Sequence, residues 1–253
     1  MINFPVTISL FGHSVLIHPI LESLGMFIGM RMYFFFKRKE SITQKMDRIT
    51  ALSVLIGATA GALIGSKLVG NLENPFSLLE QPFDFKTFWK NNTIVGGLSF
   101  GLIGVELAKK IIGHKDSTGD LMVYPLITAM FIGRIGCFLT GVFEETYGIP
   151  TDSIFGMYLG DSYLRHPVAL YEMGFLLLLG AALAVIRKKY MYPSGMLFQL
   201  FMLGYFSFRF LLDFIKPHIN LIGNLSTIQL VCLIVIIYYI YKLIKTIPLT
   251  SKK

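Results

Sequence analysis

The chain is short of charge, of cysteine and of tryptophan. Only 15% of its 253 residues are Asp, Glu, Lys or Arg, against 54% hydrophobic, and the mean hydropathy is +0.63. An ordinary soluble domain carries about 25% charged residues, so that class is excluded. The two cysteines, Cys137 and Cys232, lie in separate apolar runs and cannot build a disulfide framework. The first 30 residues hold no Lys or Arg, so the basic head of a secretory signal peptide is not expected there. Neither GLIG at 101–104 nor GGL at 96–98 has the form of a phosphate loop; both read as packing sequences. The five histidines are scattered without Cys–His spacing, so no metal centre and no cofactor is expected.

What the chain has is apolar length. A membrane-crossing helix needs about 20 mostly apolar residues. Seven runs meet that, at about 14–36, 50–70, 93–112, 121–143, 167–187, 195–216 and 226–245. Together they predict an all-α, polytopic membrane helical bundle forming a single integral membrane domain over 1–253. The stretch 71–92 holds the only Trp and several Phe, and is expected to be an interfacial hairpin or a short amphipathic helix. The net charge of +8 could suggest nucleic acid, but its distribution points to topology. Of 23 Lys and Arg, 15 fall in alternate loops, at Lys37–Lys39, Lys45, Arg48, Lys109–Lys115, Arg187–Lys189 and Lys242–Lys253. The opposite loops hold five. Basic loops stay in the cytoplasm, which puts the N-terminus outside and the C-terminus inside; no nucleic-acid partner is expected.

Small residues recur every fourth position in three runs: Gly57, Gly61 and Gly65; Gly97, Gly101 and Gly104 nearby; Gly133, Cys137 and Gly141. Such stripes form grooves where another helix approaches closely. No internal repeat is evident.

Charges at membrane depth cost about 2.5–3.5 kcal/mol each on insertion scales and tend to mark function. Here they are Glu22, Arg31, Glu106, Arg134, Glu172, Arg209 and Asp213. The expected topology puts Arg134 and Arg209 in the outer half on different spans, with Glu22, His166, Tyr171 and Glu172 nearby. Tyr205, Arg209 and Asp213 are spaced by four and share a helix face. A guanidinium offers five donors in a fixed fork, which suits phosphate. The two arginines are therefore expected to hold an anionic lipid headgroup from the outer leaflet. Plainer readings stand beside this one. Arg134 could pair with Glu22 or another acid, Arg209 with Asp213, and Glu106 with Lys109 or Lys110. Tyr171 and Tyr205 could be aromatic packing, His166 an interfacial residue, and Glu144 and Glu145 a solvated loop. Cys137, one turn from Arg134, could be an activated nucleophile or a small packing residue.

Three segments carry a family resemblance: GRIGCFLTG…YG at 133–148, RHPVALYE at 165–172 and YFSFRFLLDFIKP at 205–217, with VGGLSFGLIGVEL at 95–107 in the same order. They resemble prolipoprotein diacylglyceryl transferases. The resemblance implies transfer of the diacylglyceryl group of phosphatidylglycerol to the thiol of a lipobox cysteine on a lipoprotein precursor, with glycerol phosphate released at the outer face of the bacterial cytoplasmic membrane. It implies catalytic roles for Arg134, Arg209, Tyr205, His166 and Glu145. Arg134, Arg209, Tyr171, Glu172, Glu22, Gly96 and Gly97 are the implied substrate-binding residues. The sequence departs from the family pattern at several points. Cys137 and Thr140 stand where the family has asparagines, and Val142 stands at a glutamate position that Glu144 or Glu145 could fill. Val95 replaces a histidine often proposed as base, a first-span tyrosine is missing, and Asp213 stands for a glutamate. His166, His18 and Glu22 are the candidate replacements for the base. The alternatives are a related transferase with another acceptor and a lipid-binding or lipid-moving protein without chemistry. The polar groups concentrate in the outer half, which favours the enzyme over a mover.

Overall fold

The computed structural model describes residues 3–10, 12–39, 47–75, 88–89, 91–221, 223–245 and 250–251. Most of the expected interfacial element at 71–92 lies outside the described residues. Among them the chain is mostly helical: α1 Ile17–Lys39, α2 Arg48–Leu72, α3 Ile94–Ile112, α4 Val123–Thr140, α5 Val168–Lys189, α6 Met196–Leu212 and α7 Thr227–Ile244. Five are long and apolar enough to cross a membrane, counting the 3-10 turns that extend α4 to Asp120–Phe143 and α6 to Met196–Ile215; the others are α2, α5 and α7. Glu22 and Arg31 break up the apolar run of α1, and Glu106, Lys109 and Lys110 that of α3. Large apolar side chains such as Phe27, Ile111 and Leu178 are exposed, as on helices that face lipid.

The contacts divide the chain into two compact units. One comprises Met1–Glu40, Thr118–Pro217 and Thr246–Lys253, with α1, α4, α5 and α6. The other comprises Ser41–Ser117 and His218–Lys245, with α2, α3 and α7.

In the second unit α2 and α3 touch along their backbones. A methyl group at Gly57 would collide with the Gly104 carbonyl, one at Gly61 with the Phe100 carbonyl, and one at Gly65 with Phe100 and the Gly96 carbonyl. The small-residue stripe of α2 is thus a helix–helix contact. The N-termini of α2 and α7 are capped by side chains. Asp47 accepts from the Ile49 and Thr50 N–H groups, both at 3.1 Å, and Ser226 forms a capping box with Gln229. α3 ends at Gly113, whose φ of +73° is a left-handed cap that favours glycine. Lys109 pairs with Glu106 at 3.3 Å, one of the two pairings the sequence offered for that carboxylate.

In the first unit an antiparallel hairpin, β1 Thr7–Leu10 with β2 His13–Leu16, leads directly into α1. Its approach is tied to the end of α4: Val6 N–H donates to Leu139 O at 2.9 Å, and Phe4 packs edge-on against Phe138. α1 and α4 approach closely at Gly25 and Gly29, where added methyl groups would lie 2.7 Å from Ala129 O and 2.9 Å from Pro125 O. On α4 the tight face differs from the expected stripe. Nothing lies within 4 Å of a methyl placed at Gly133, while one at Gly136 would lie 2.7 Å from the His18 ring. Four-residue spacing is satisfied by both faces, and only the packing of α1 selects between them. Beyond α4, the loop to α5 carries β3 Met157–Tyr158 paired with β4 Leu164–Arg165. Asp120 accepts from the Gly195 and Phe198 N–H groups at 2.7 and 2.9 Å and so fixes the start of α6.

Candidate active site

Three helices of the first unit converge on one carboxylate. Glu172, in the first turns of α5, is 1% exposed. Its Oε1 lies 2.9 Å from Arg134 Nε of α4 and accepts the Tyr205 hydroxyl of α6 at 2.7 Å; its Oε2 lies 3.2 Å from Arg209 of α6. Tyr205 and Arg209 reach the same point because they are one helical turn apart, as their spacing predicts. Asp213, a further turn on, is buried at 2%. Of the pairings left open by the sequence, Arg134 takes Glu172 rather than Glu22, and Arg209 reaches that same Glu172. Two guanidinium groups from different helices thus share one carboxylate, with the Asp213 carboxyl buried one turn beyond Arg209.

Arg134 also faces a second cluster. Its NH1 donates to Cys137 Sγ at 3.3 Å. His18, at the start of α1, places Nε2 3.4 Å from the same sulfur, and its Nδ1 is bonded to Glu144 Oε2. Gly136 makes this possible, since any side chain there would displace His18. Gly141, at φ +63°, turns the chain out of α4 so that Glu144 comes back over His18. Thr140 is fully buried and its hydroxyl bonds back to Gly136 O at 2.9 Å. A cavity of about 10 Å³ borders Cys137 between Thr146, Tyr147, Pro167 and Val168.

Each of the remaining expected site residues is placed within its own unit. His166 Nδ1 is 3.1 Å from the Tyr171 hydroxyl, and the two form a pair of their own at the start of α5. Glu145 is exposed and has no hydrogen bond to the centre, whereas its neighbour Glu144 holds His18. Glu22 is exposed on α1 without a bond to either arginine. Gly96 and Gly97 belong to the second unit, on α3 where it faces α2. The grouping of His18, Cys137 and Glu144 is what sequence reasoning did not assemble. Each was a candidate by itself, but His18 and Glu144 are 126 positions apart, with no spacing to join them.

The family model described as prolipoprotein diacylglyceryl transferase matches residues 5–245. A phosphatidylglycerol–prolipoprotein diacylglyceryl transferase of Rickettsia bellii is 29% identical over 246 residues, 88% of this chain and 89% of the relative. The protein so named in Nitratidesulfovibrio vulgaris is 33% identical over 199 residues, 72% of this chain and 69% of the relative. The one in Bordetella bronchiseptica is 30% identical over 187 residues, 70% of this chain and 66% of the relative, so the match spans just under two thirds of that protein's length. A match that runs over nearly the whole chain, together with motif segments that the fold draws to one carboxylate, establishes that the chain belongs to the prolipoprotein diacylglyceryl transferase family.

Proposed function

We propose that the chain transfers the diacylglyceryl group of phosphatidylglycerol to the thiol of a lipobox cysteine in a lipoprotein precursor, releasing glycerol phosphate. The reading includes seven spans with the N-terminus outside, so that the reaction faces outward from the bacterial cytoplasmic membrane. The observation that carries it is the trio of Arg134, Arg209 and Glu172. A phosphodiester is an anion with two free oxygens, and two guanidinium groups brought to one point from different helices offer it forked, charge-assisted donors. As the carbon–oxygen bond breaks, the leaving phosphate gains a second negative charge. Fixed guanidinium groups in a water-poor site stabilise that charge where it develops. Glu172 and Tyr205 hold the two guanidinium groups in place, so the donors need no rearrangement during the step.

The test is purified protein in phosphatidylglycerol bilayers with a lipobox peptide. Peptide mass reports the diacylglyceryl adduct, and the medium is assayed for glycerol phosphate. Adduct formation that is lost in both Arg134→Ala and Arg209→Ala supports the reading. Folded wild-type protein that yields no adduct refutes it and leaves lipid binding alone, or another acceptor, as the function.

A further inference from the structure

We propose that Cys137, His18 and Glu144 form a proton relay that deprotonates the acceptor thiol, with Cys137 passing the proton on and not itself becoming alkylated. This inference rests on the transfer reading above. A thiol must give up its proton before its sulfur can displace a phosphate ester. The transfer therefore needs a group near the two arginines that can take that proton.

The geometry supplies one. A base within hydrogen-bond reach of a thiol, oriented by a third group, is the arrangement that activates thiols. His18 Nε2 is 3.4 Å from Cys137 Sγ, and the bond from Nδ1 to Glu144 directs the Nδ1 proton at the carboxylate. With Nδ1 tied to Glu144, Nε2 is the ring nitrogen that faces the sulfur. Arg134 donates to the same sulfur and also to Glu172, so one guanidinium joins the phosphate-binding trio to the relay. A cavity of about 10 Å³, on the scale of one water, lies beside the buried Cys137. The charged and titratable groups facing the relay are Arg134 from α4, Glu144 from the turn after it, and Tyr147 at the cavity. Behind Arg134 stand Glu172 of α5 and Tyr205 and Arg209 of α6.

The step balances. The acceptor sulfur bonds to the terminal glycerol carbon of the diacylglyceryl group as the bond from that carbon to phosphate oxygen breaks. The acceptor proton moves to Cys137 Sγ while the Cys137 proton moves to His18 Nε2. The products are a thioether, a glycerol phosphate dianion facing Arg134 and Arg209, and an imidazolium against Glu144. Glycerol phosphate takes up that proton as it departs, and Cys137 ends the turn as a free thiol.

The experiment uses the full chain carrying Cys232→Ala, which makes Cys137 its only thiol. Two rates are followed against pH: modification of Cys137 by methyl methanethiosulfonate, read by intact mass, and diacylglyceryl transfer to the peptide. His18→Ala and Glu144→Gln are expected to slow the modification about tenfold or more. Cys137→Ala is expected to lower transfer about 100-fold, while Cys137→Ser, whose hydroxyl can still pass a proton, keeps part of it. In His18→Ala the residual transfer should rise about tenfold per pH unit, as for a thiol ionised by solvent alone. Transfer in Cys137→Ala and His18→Ala at the wild-type rate and pH profile overturns the relay, as does a diacylglyceryl adduct found on Cys137 itself. Wild-type protein with His18-dependent Cys137 reactivity but no transfer overturns the transfer reading while supporting the coupling of His18 to Cys137.

Discussion

Replacing Glu172 with glutamine removes the carboxylate that the buried Arg209 and the half-buried Arg134 share. Glu172 is 1% exposed and Arg209 3%, so water cannot take over its part. Removing one partner of a buried ion pair costs about 3–5 kcal/mol, because the other charge is left uncompensated. The glutamine oxygen still accepts the Tyr205 hydroxyl, which retains about 1 kcal/mol of that bond. That leaves about 2–4 kcal/mol, and at about 2–4 °C per kcal/mol for a chain of this size the midpoint should fall by about 4–16 °C. The assay is a circular-dichroism melt at 222 nm in detergent, with and without phosphatidylglycerol. A phosphodiester bound at the two arginines replaces the missing charge, so the lipid should raise the midpoint of Glu172→Gln more than that of the wild type. A variant that melts within 2 °C of wild type, or lipid that raises both equally, would refute the ion-pair account and the placement of phosphate there.

Other outcomes follow from the packing. Gly136→Ala puts a methyl group 2.7 Å from the His18 ring; overpacking should cost about 1–3 kcal/mol in a melt, and transfer should drop about 100-fold because the ring is misplaced. Gly61→Leu drives a side chain into the Phe100 carbonyl and should part α2 from α3, seen as lost helicity at temperatures where wild type is folded. Asp47 accepts from Thr50 and Ile49, which holds its carboxyl below the ordinary value of 3.8. Its cap therefore stabilises α2 above that pH and is lost as pH falls through the lowered value; an NMR titration of Asp47 checks this, and Asp47→Asn should remove the dependence. Ser226→Ala breaks the capping box at α7 and should cost about 1 kcal/mol by denaturant titration.

Helix positions were legible because a membrane span must be apolar along its whole length, and such runs survive local exceptions such as Arg134. Tyr205 and Arg209 could be read as partners of one site because both lie on one helix with fixed periodicity. Their common carboxylate could not be assigned, since Glu22, Glu172 and Asp213 were all candidates in the apolar runs and only tertiary packing selects Glu172. Glu144 and Glu145 could not be told apart either; the turn at Gly141 decides which of the two faces His18. Gly133 and Gly136 show the same limit from the packing side, because both faces of α4 offer small residues and α1 lies against only one.

The contact between α2 and α3 has a mechanical consequence. Helices that meet through side chains can slide or tilt as rotamers change. Here a main-chain carbonyl of α3 lies against each of Gly57, Gly61 and Gly65, over more than two turns, and a carbonyl has no rotamer to change. The pair should bend and move as one stiff beam. Sequence drift along that seam is limited to glycine, with alanine or serine tolerated only where the partner backbone can retreat, whatever chemistry the rest of the chain performs.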